Sequence, residues 1–205
     1  MNGKNINNKI VQLDIGCGTN KRVGFIGLDI LPLPGVDIVA NIEDGLPIKT
    51  NVVDHIYISH VLEHISKLND IMDELWRICK KDAIVEIYVP YYKSAGAFQD
   101  PTHKRFFSWL SFDYFTNNQF LPHYNLNNNF EIVEKKLLVG IRNWKQFPSI
   151  KGKIFALIFL KPLELILNIL TKILSNNLVT RLYEDTMLSS ILPASELMVC
   201  LKVKK

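Results

Sequence analysis

VQLDIGCGTNKRVGFIGLDI, Val11 to Ile30, is the stretch whose reading decides the fold. It reads as a buried strand (Val11, Leu13, Ile15), a glycine turn (Gly16-Cys17-Gly18) and a second strand, Phe25 to Leu28, ending on Asp29. Gly16 and Gly18 have no Cβ, so a ligand can lie directly on the backbone there. A carboxylate at the tip of the next strand accepts hydrogen bonds from the two hydroxyls of a ribose. Together these features describe a pocket for a nucleoside-containing ligand at the carboxyl ends of parallel strands.

Spacing separates the cofactor classes that use this layout. The dinucleotide fingerprint wants G-x-G-x-x-G opening a helix, with an acidic residue about 20 positions on. Here Lys21 holds the third glycine position and Asp29 comes too early, which disfavours an NAD-dependent oxidoreductase. The bland alternative is a tight turn that binds nothing. The D-x-G-x-G turn from Asp14 to Gly18, with its early Asp29, resembles motif I and the second-strand acid of class I S-adenosylmethionine-dependent methyltransferases.

The totals narrow the class. A chain of 205 residues is most simply one domain, 48% hydrophobic and 21% charged, as globular proteins are. The net charge of +4 comes from scattered lysines, which gives no reason to invoke nucleic acid. Cys17, Cys79 and Cys200 are far apart and form no C-x-x-C pair, which argues against a disulfide framework or structural zinc and for a reducing compartment. The polar start MNGKNINNKI has no signal-peptide core, so a cytoplasmic location is expected.

Strands and helices alternate from residue 11 to about 90, which predicts a mostly parallel sheet covered on both faces. A third strand is expected at Val36 to Ala40 and a fourth at Val52 to Ser59. A helix is expected over His60 to Lys80, from the spacing of Ile65, Leu68, Ile71, Met72, Leu75 and Ile78, and a fifth strand at Ala83 to Val89. The crossover from the first strand to the second is shorter than the dozen or more residues a helical crossover needs.

This order extends the resemblance over residues 11 to 115. Asn41-Ile42 stands where such methyltransferases place an acid-containing dipeptide against the adenine, and the Asn oxygen accepts from an amino group. The run DHIYISHVLEH, Asp54 to His64, is similar to the fourth-strand motif of a small-molecule methyltransferase branch, as is DPTHKRFFS, Asp100 to Ser108. The resemblance implies a Rossmann-like, doubly wound α/β domain with S-adenosylmethionine as cofactor. Asp14, Gly16, Gly18, Asp29, Asn41, Ile42, Ser59 and His60 would line the cofactor site.

His60-Val61-Leu62-Glu63-His64 is also a literal H-x-x-E-H, the inverted zinc-peptidase motif. On a helix, His60 and His64 would share one face. The context of a short strand, with no third ligand downstream, argues against it, so no metal site is expected; Glu63 and His64 instead fix the loop. The acceptor is expected against Tyr91 to Phe115, which leaves the sheet at the same edge as the cofactor. Tyr91, Tyr92, Arg105 and Phe106 would contact it. His103 is the candidate general base, because an imidazole titrates near working pH, and Asp100 would orient that ring. The plainer alternative is a turn whose His103 satisfies a loop carbonyl.

Phe130 to Val139 and Leu197 to Val203 read as the antiparallel pair that ends this fold, so the core covers about 9–140 and 196–205. Between them lies an insert at about 141–195. Its apolar stretch Ile154 to Leu174 is interrupted by Lys161, Glu164 and Lys172, and Pro162 breaks a continuous helix, which excludes a spanning segment. The stretch leaves a wide apolar face with three readings: local packing over the substrate, a homodimer surface, or peripheral membrane contact. The reading is a methyltransferase acting on an oxygen or nitrogen of a small-molecule or saccharide-like acceptor. The rivals are a non-catalytic nucleotide-binding module and a zinc peptidase.

Overall fold

The structure is a computed structural model that describes residues 10–116, 129–139, 161–184 and 194–205. Its strands are β1 (Gln12–Ile15), β2 (Ile26–Asp29), β3 (Ile38–Val39), β4 (Val53–Ser59), β5 (Cys79–Pro90), β6 (Phe130–Leu138) and β7 (Glu196–Val203). They form one seven-stranded sheet in the order β3-β2-β1-β4-β5-β7-β6. The pairs from β3 across to β5 are parallel, and β7 runs antiparallel to both β5 and β6. This is the Rossmann-like, mostly parallel sheet with a closing antiparallel strand that the order of motifs implied.

The short crossover holds. Ten residues join β1 to β2, and the two strands are parallel, with Leu13 beside Ile26 and Ile15 beside Leu28. A chain reaches at most about 3.3–3.6 Å per residue, so ten residues can return along strands of only four without a helix. Side chains pin the connection where a helix would have packed. Asp14 Oδ2 accepts the Arg22 N–H at 2.7 Å, and Asp37 Oδ2 accepts Gly27 N–H and the Lys21 ammonium, both at 2.7 Å. The Arg22 guanidinium lies 3.9 Å from the Tyr57 ring centroid and bonds Glu86 Oε2 at 3.0 Å.

The two sheet faces differ accordingly. Leu13, Ile15, Ile56, Ile58, Val85 and Ile87 share one face and are at most 1% exposed. Helix α1 (Leu68–Ile78) buries Ile71, Met72, Leu75 and Ile78 in the same core, with Phe107, Trp109 and Phe112. The other face carries Gln12, Asp14, His55, Tyr57 and Glu86, mostly half-buried; among the described residues no helix of ordinary length spans its β1–β2–β3 connections. Among the described residues, turns and the Arg22 contacts stand at these connections where helices were expected.

The helix expected over 60–80 is shorter. Residues Leu62–His64 make a single 3-10 turn, and α1 starts only at Leu68. The reason is tertiary: Glu43 Oε1 accepts the N–H groups of Ser66 (2.7 Å) and Lys67 (3.2 Å), fixing the chain just before the first helical turn. At the other end β5 starts directly out of α1, four residues earlier than its apolar run indicates, and a register shift against β4 absorbs the extra length. After β5 come the short helix α2 (Ala95–Gln99) and a 3-10 turn at Asp113–Phe115.

The insert contains α3 (Lys161–Ile173) and α4 (Asn177–Glu184). Pro162 sits in the first turn of α3, where its missing N–H has no intrahelical partner to lose. No described helix is long and apolar enough to cross a membrane. Leu165, Ile166, Ile169 and Ile173 of α3 and Leu178 and Leu182 of α4 are at least half exposed. Residues 154–160 of the apolar stretch lie outside the described residues.

Candidate functional site

At the carboxyl ends of β1, β2 and β4 lies a cleft of about 360 Å³, lined by Gly16, Asp29, Asn41, Ile42, His60 and neighbours. Gly16 has φ +71°, and a Cβ there would stand 2.1 Å from Val61 Cγ2, so the turn and the loop after β4 close together only because position 16 is bare. Gly18 differs: its φ of +52° also suits glycine, but a Cβ would meet nothing within 4 Å. Its N–H donates to Asp29 Oδ2 at 2.9 Å, and Leu31 N–H donates to Oδ1 at 3.0 Å. These bonds fix the carboxylate at the cleft wall and leave each oxygen a further lone pair.

Asn41 caps the 3-10 turn Ile42–Asp44; its Oδ1 accepts Glu43 N–H at 3.1 Å and its Nδ2 donates to Asp44. Ile42 is buried at the cleft wall beside it. His60 ends the opposite wall in the left-handed region, φ +56°. Its ring lies between two carboxylates, Nδ1 3.2 Å from Glu63 Oε1 and Nε2 3.1 Å from Glu196 Oε1.

A second cleft of about 390 Å³ adjoins the first, and His60 and His64 stand in both. Glu63, Asp100, His103 and Glu196 complete its ionisable lining. His103 Nδ1 bonds the Ala97 carbonyl at 2.8 Å. Asp100 Oδ1 accepts the Thr102 hydroxyl at 2.6 Å and the Thr102 N–H at 2.8 Å, and these bonds hold its carboxyl below the usual carboxylate range. The same hydroxyl lies 2.9 Å from His64 Nδ1. Asp100 therefore orients Thr102 and, through it, His64. The Ala97 carbonyl orients His103.

Several residues expected at the site are placed elsewhere. Asp14 lies on the polar face and is 3% exposed; burial pushes its carboxyl up, against the Arg22 N–H, and it anchors the first crossover rather than lining either cleft. Tyr91 is fully buried, with its hydroxyl donating to Glu184 Oε1 at 2.9 Å; burial and that carboxylate push its pKa up. Tyr92 packs edge-on against Tyr91, and Phe106 stacks on Phe98, outside both clefts. Arg105 is a clamp: its Nε donates to the Ile65 carbonyl at 2.8 Å, and its Nη2 bonds the Ser66 carbonyl. Ser59 ends β4 half-buried and lines neither cleft.

The H-x-x-E-H segment is not a zinc-peptidase helix. His60 in the left-handed region and the 3-10 turn after it take the two imidazoles off a common helical face. Sequence reasoning also missed Glu196, which reaches His60 from β7, and Glu184, which ties α4 to the chain after β5. Tyr183, next to Glu184 on α4, is buried and its hydroxyl accepts Ala194 N–H at 3.0 Å.

Residues 26–87, less than half of the chain, match the family model described as a methyltransferase domain. The match begins after the glycine turn, past the crossover that lacks its helix. No curated protein matches the sequence. Among solved structures, a chain of the Haloferax volcanii complex built around the Trm112 methyltransferase activator is 13% identical, with 96% of this chain and 84% of that one covered at a TM-score of 0.55. A SAM-dependent methyltransferase from Archaeoglobus fulgidus is 16% identical, covering 94% and 86% at 0.54. The YcgJ protein of Bacillus subtilis is 15% identical, covering 96% and 92% at 0.52. At these identities the likeness is one of fold.

Proposed function

We propose that this chain is an enzyme that transfers a methyl group from S-adenosylmethionine to an oxygen or nitrogen of a small-molecule or saccharide-like acceptor. The observation that carries the reading is the shared wall: a glycine-turn cleft and a cleft rich in ionisable groups meet at His60 and His64. The match of residues 26–87 to a methyltransferase domain model supports the same reaction class.

The first cleft fits the cofactor. Gly16 lets the loop carrying Val61 close against the turn and so shapes the cleft, Gly18 holds Asp29 through its N–H, and the free lone pairs of Asp29 suit the two ribose hydroxyls. Ile30 and Ile42 supply apolar surface for a base, and a volume of about 360 Å³ lies within the range of small-molecule sites. S-adenosylmethionine, when bound, supplies an electron-poor methyl group open to in-line attack. The protein's main task is then to hold an acceptor atom at near-attack distance on that line.

The second cleft suits a polyhydroxylated acceptor, since Glu63, Ser94, Gln99, Asp100 and Glu196 offer hydrogen-bonding groups around its rim and floor. His103 serves as general base. Its Nδ1 faces a carbonyl, which only accepts, so the proton sits on Nδ1 and Nε2 carries the free lone pair.

Calorimetric titration with S-adenosylmethionine, S-adenosylhomocysteine and NAD tests the cofactor. Binding of the first two and not the third is expected, with the affinity lost in Asp29→Ala. If neither adenosyl ligand binds, the proposal fails. Tritium transfer from labelled cofactor to a panel of saccharides and small phenols tests turnover. Binding without transfer to any acceptor would favour a sensing module.

A further inference from the structure

We propose that Glu63, His64 and His103 bind a divalent first-row transition-metal ion, of which zinc is the type, at the floor of the second cleft. One ligand atom from each lies within 4.8 Å of the others. Neither His60 nor a cysteine belongs to the set, so this is a different constellation from the one the H-x-x-E-H spacing implied. Glu63 and His64 come from the turn after β4, and His103 from the segment after β5.

Hydrogen-bond bookkeeping assigns the tautomers. The Thr102 hydroxyl has one hydrogen, which goes to Asp100 Oδ1 at 2.6 Å, so towards His64 it accepts, and the proton sits on His64 Nδ1. The Ala97 carbonyl can only accept, so His103 also carries its proton on Nδ1. Both imidazoles therefore present a bare Nε2. Metal-binding histidines are held in this way, with the second ring N–H donated to a carbonyl or to a carboxylate-linked group.

Glu63 supplies the independent indication. It is 1% exposed and lines the cleft, yet neither carboxylate oxygen completes a hydrogen bond among the described residues. His60 Nδ1 approaches Oε1 at 3.2 Å without hydrogen-bond direction, and His103 Nε2 stands 4.0 Å away. The latter gap is too long for a hydrogen bond. Two ligands each about 2.1 Å from an ion at tetrahedral angles are about 3.4 Å apart, so a small approach of the two side chains closes the gap around a cation. Beyond the His60 ring beside Oε1, this buried carboxylate faces two imidazole lone pairs, an arrangement that a cation between them satisfies.

The donor set names the class. Two imidazoles disfavour magnesium and calcium, which take oxygen ligands. Three protein ligands leave at least one position open, as catalytic rather than structural zinc sites do. That position faces the cleft assigned above to the acceptor, so an acceptor hydroxyl bound there would become more acidic and lose its proton to water. With the ion bound, the His103 lone pair is committed and the ion takes over the work given to the base. Only this role rests on the methyltransferase reading; metal binding does not.

The test uses the full chain, stripped with a chelator and titrated with Zn²⁺ by calorimetry and with Co²⁺ by visible absorption. One ion per chain at micromolar or tighter affinity is expected, with a ligand-field band for Co²⁺. Glu63→Gln and His103→Ala should each weaken Zn²⁺ at least 100-fold, and Thr102→Val, which frees the His64 ring, about 10- to 100-fold. His55→Ala, on the other face of the sheet, should leave affinity unchanged. Thermal unfolding without metal monitors folding of each variant. Absence of stoichiometric binding, or binding that survives both Glu63→Gln and His103→Ala in folded protein, would overturn the proposal. Cofactor titration is read separately, so failure of either reading leaves the other standing.

Discussion

Replacing Gly16 by alanine tests whether the bare backbone at the turn holds the cleft together. Two costs add. At φ +71° an L-residue loses about 1–2 kcal/mol, offset by about 0.4–1 kcal/mol gained from a stiffer unfolded chain. The new Cβ also falls 2.1 Å from Val61 Cγ2, an overpacking of the kind that costs about 1–3 kcal/mol. The sum is about 1–5 kcal/mol, centred near 3. Gly18→Ala is the internal control, because its φ is also positive and its Cβ position is open; it should cost only about 1 kcal/mol. Urea unfolding of both variants, together with Val61→Ala and the Gly16→Ala/Val61→Ala pair, isolates the steric part as a coupling energy. Val61→Ala should recover about 1–3 kcal/mol of the Gly16→Ala cost. Cofactor affinity should fall at least tenfold in Gly16→Ala alone, as the loop carrying Val61 and His60 moves. Equal costs for the two glycines, or zero coupling to Val61, would refute the account.

Three further outcomes follow from the same geometry. Burial pushes the Cys79 thiol from its ordinary 9 up to about 12; between those values the unfolded chain releases a proton that the folded chain keeps, so stability falls as pH rises, by about 1.4 kcal/mol per unit. Urea melts from pH 8.5 to 10.5 should show that extra slope in the wild type and lack it in Cys79→Ala. Asp14→Asn should bind the cofactor within threefold of wild type by calorimetry, because an amide oxygen can still accept the Arg22 N–H; a larger loss would put Asp14 in contact with the ligand. Arg105→Lys should lower stability by about 1–2 kcal/mol in thermal melts, since an ammonium cannot reproduce the fork onto the Ile65 and Ser66 carbonyls. If it changes only the acceptor KM, the clamp assignment is wrong.

The sheet was legible because its strands are short apolar runs, several of them bounded by Gly, Pro or Asp, and the glycine turn because so little else fits positive φ on both sides of Cys17. The closing antiparallel strand was also placed to within a residue, whereas the insert was read only as one apolar stretch and α4 was not foreseen. Misreadings arose where distant groups decide. The 3.6-residue pattern continues from Leu62 into α1, and nothing nearby in sequence reveals that Glu43 stops the helix at Ser66. Tyr91 and Arg105 look like contact residues by type, yet Glu184, 93 positions away from Tyr91, and the carbonyls of Ile65 and Ser66 occupy them. The His103 ring bonds the Ala97 carbonyl, as the plainer of its two readings had it, while Asp100 bonds Thr102 instead of that ring.

The same long-range bonds join the two clefts mechanically. The Glu63 carbonyl accepts both Lys104 N–H at 2.8 Å and Arg105 N–H at 3.0 Å, so the turn after β4 and the segment after β5 are stitched at one atom. Arg105 adds a second fastening to the carbonyls of Ile65 and Ser66, and Glu43 holds the chain there through the N–H groups of Ser66 and Lys67. On the other side Val61 rests against Gly16 in the cofactor turn. A displacement at Gly16 therefore reaches Val61 and His60 and, through the Glu63 carbonyl, is passed on to the segment that holds His103. Loops without crossover helices would ordinarily be loose. Here they are fixed to one another rather than to helices, which makes the distance between the cofactor turn and the imidazole pair a property of the loop bonds. Weakening Arg105 should thus disturb the His64–His103 spacing before it disturbs the sheet.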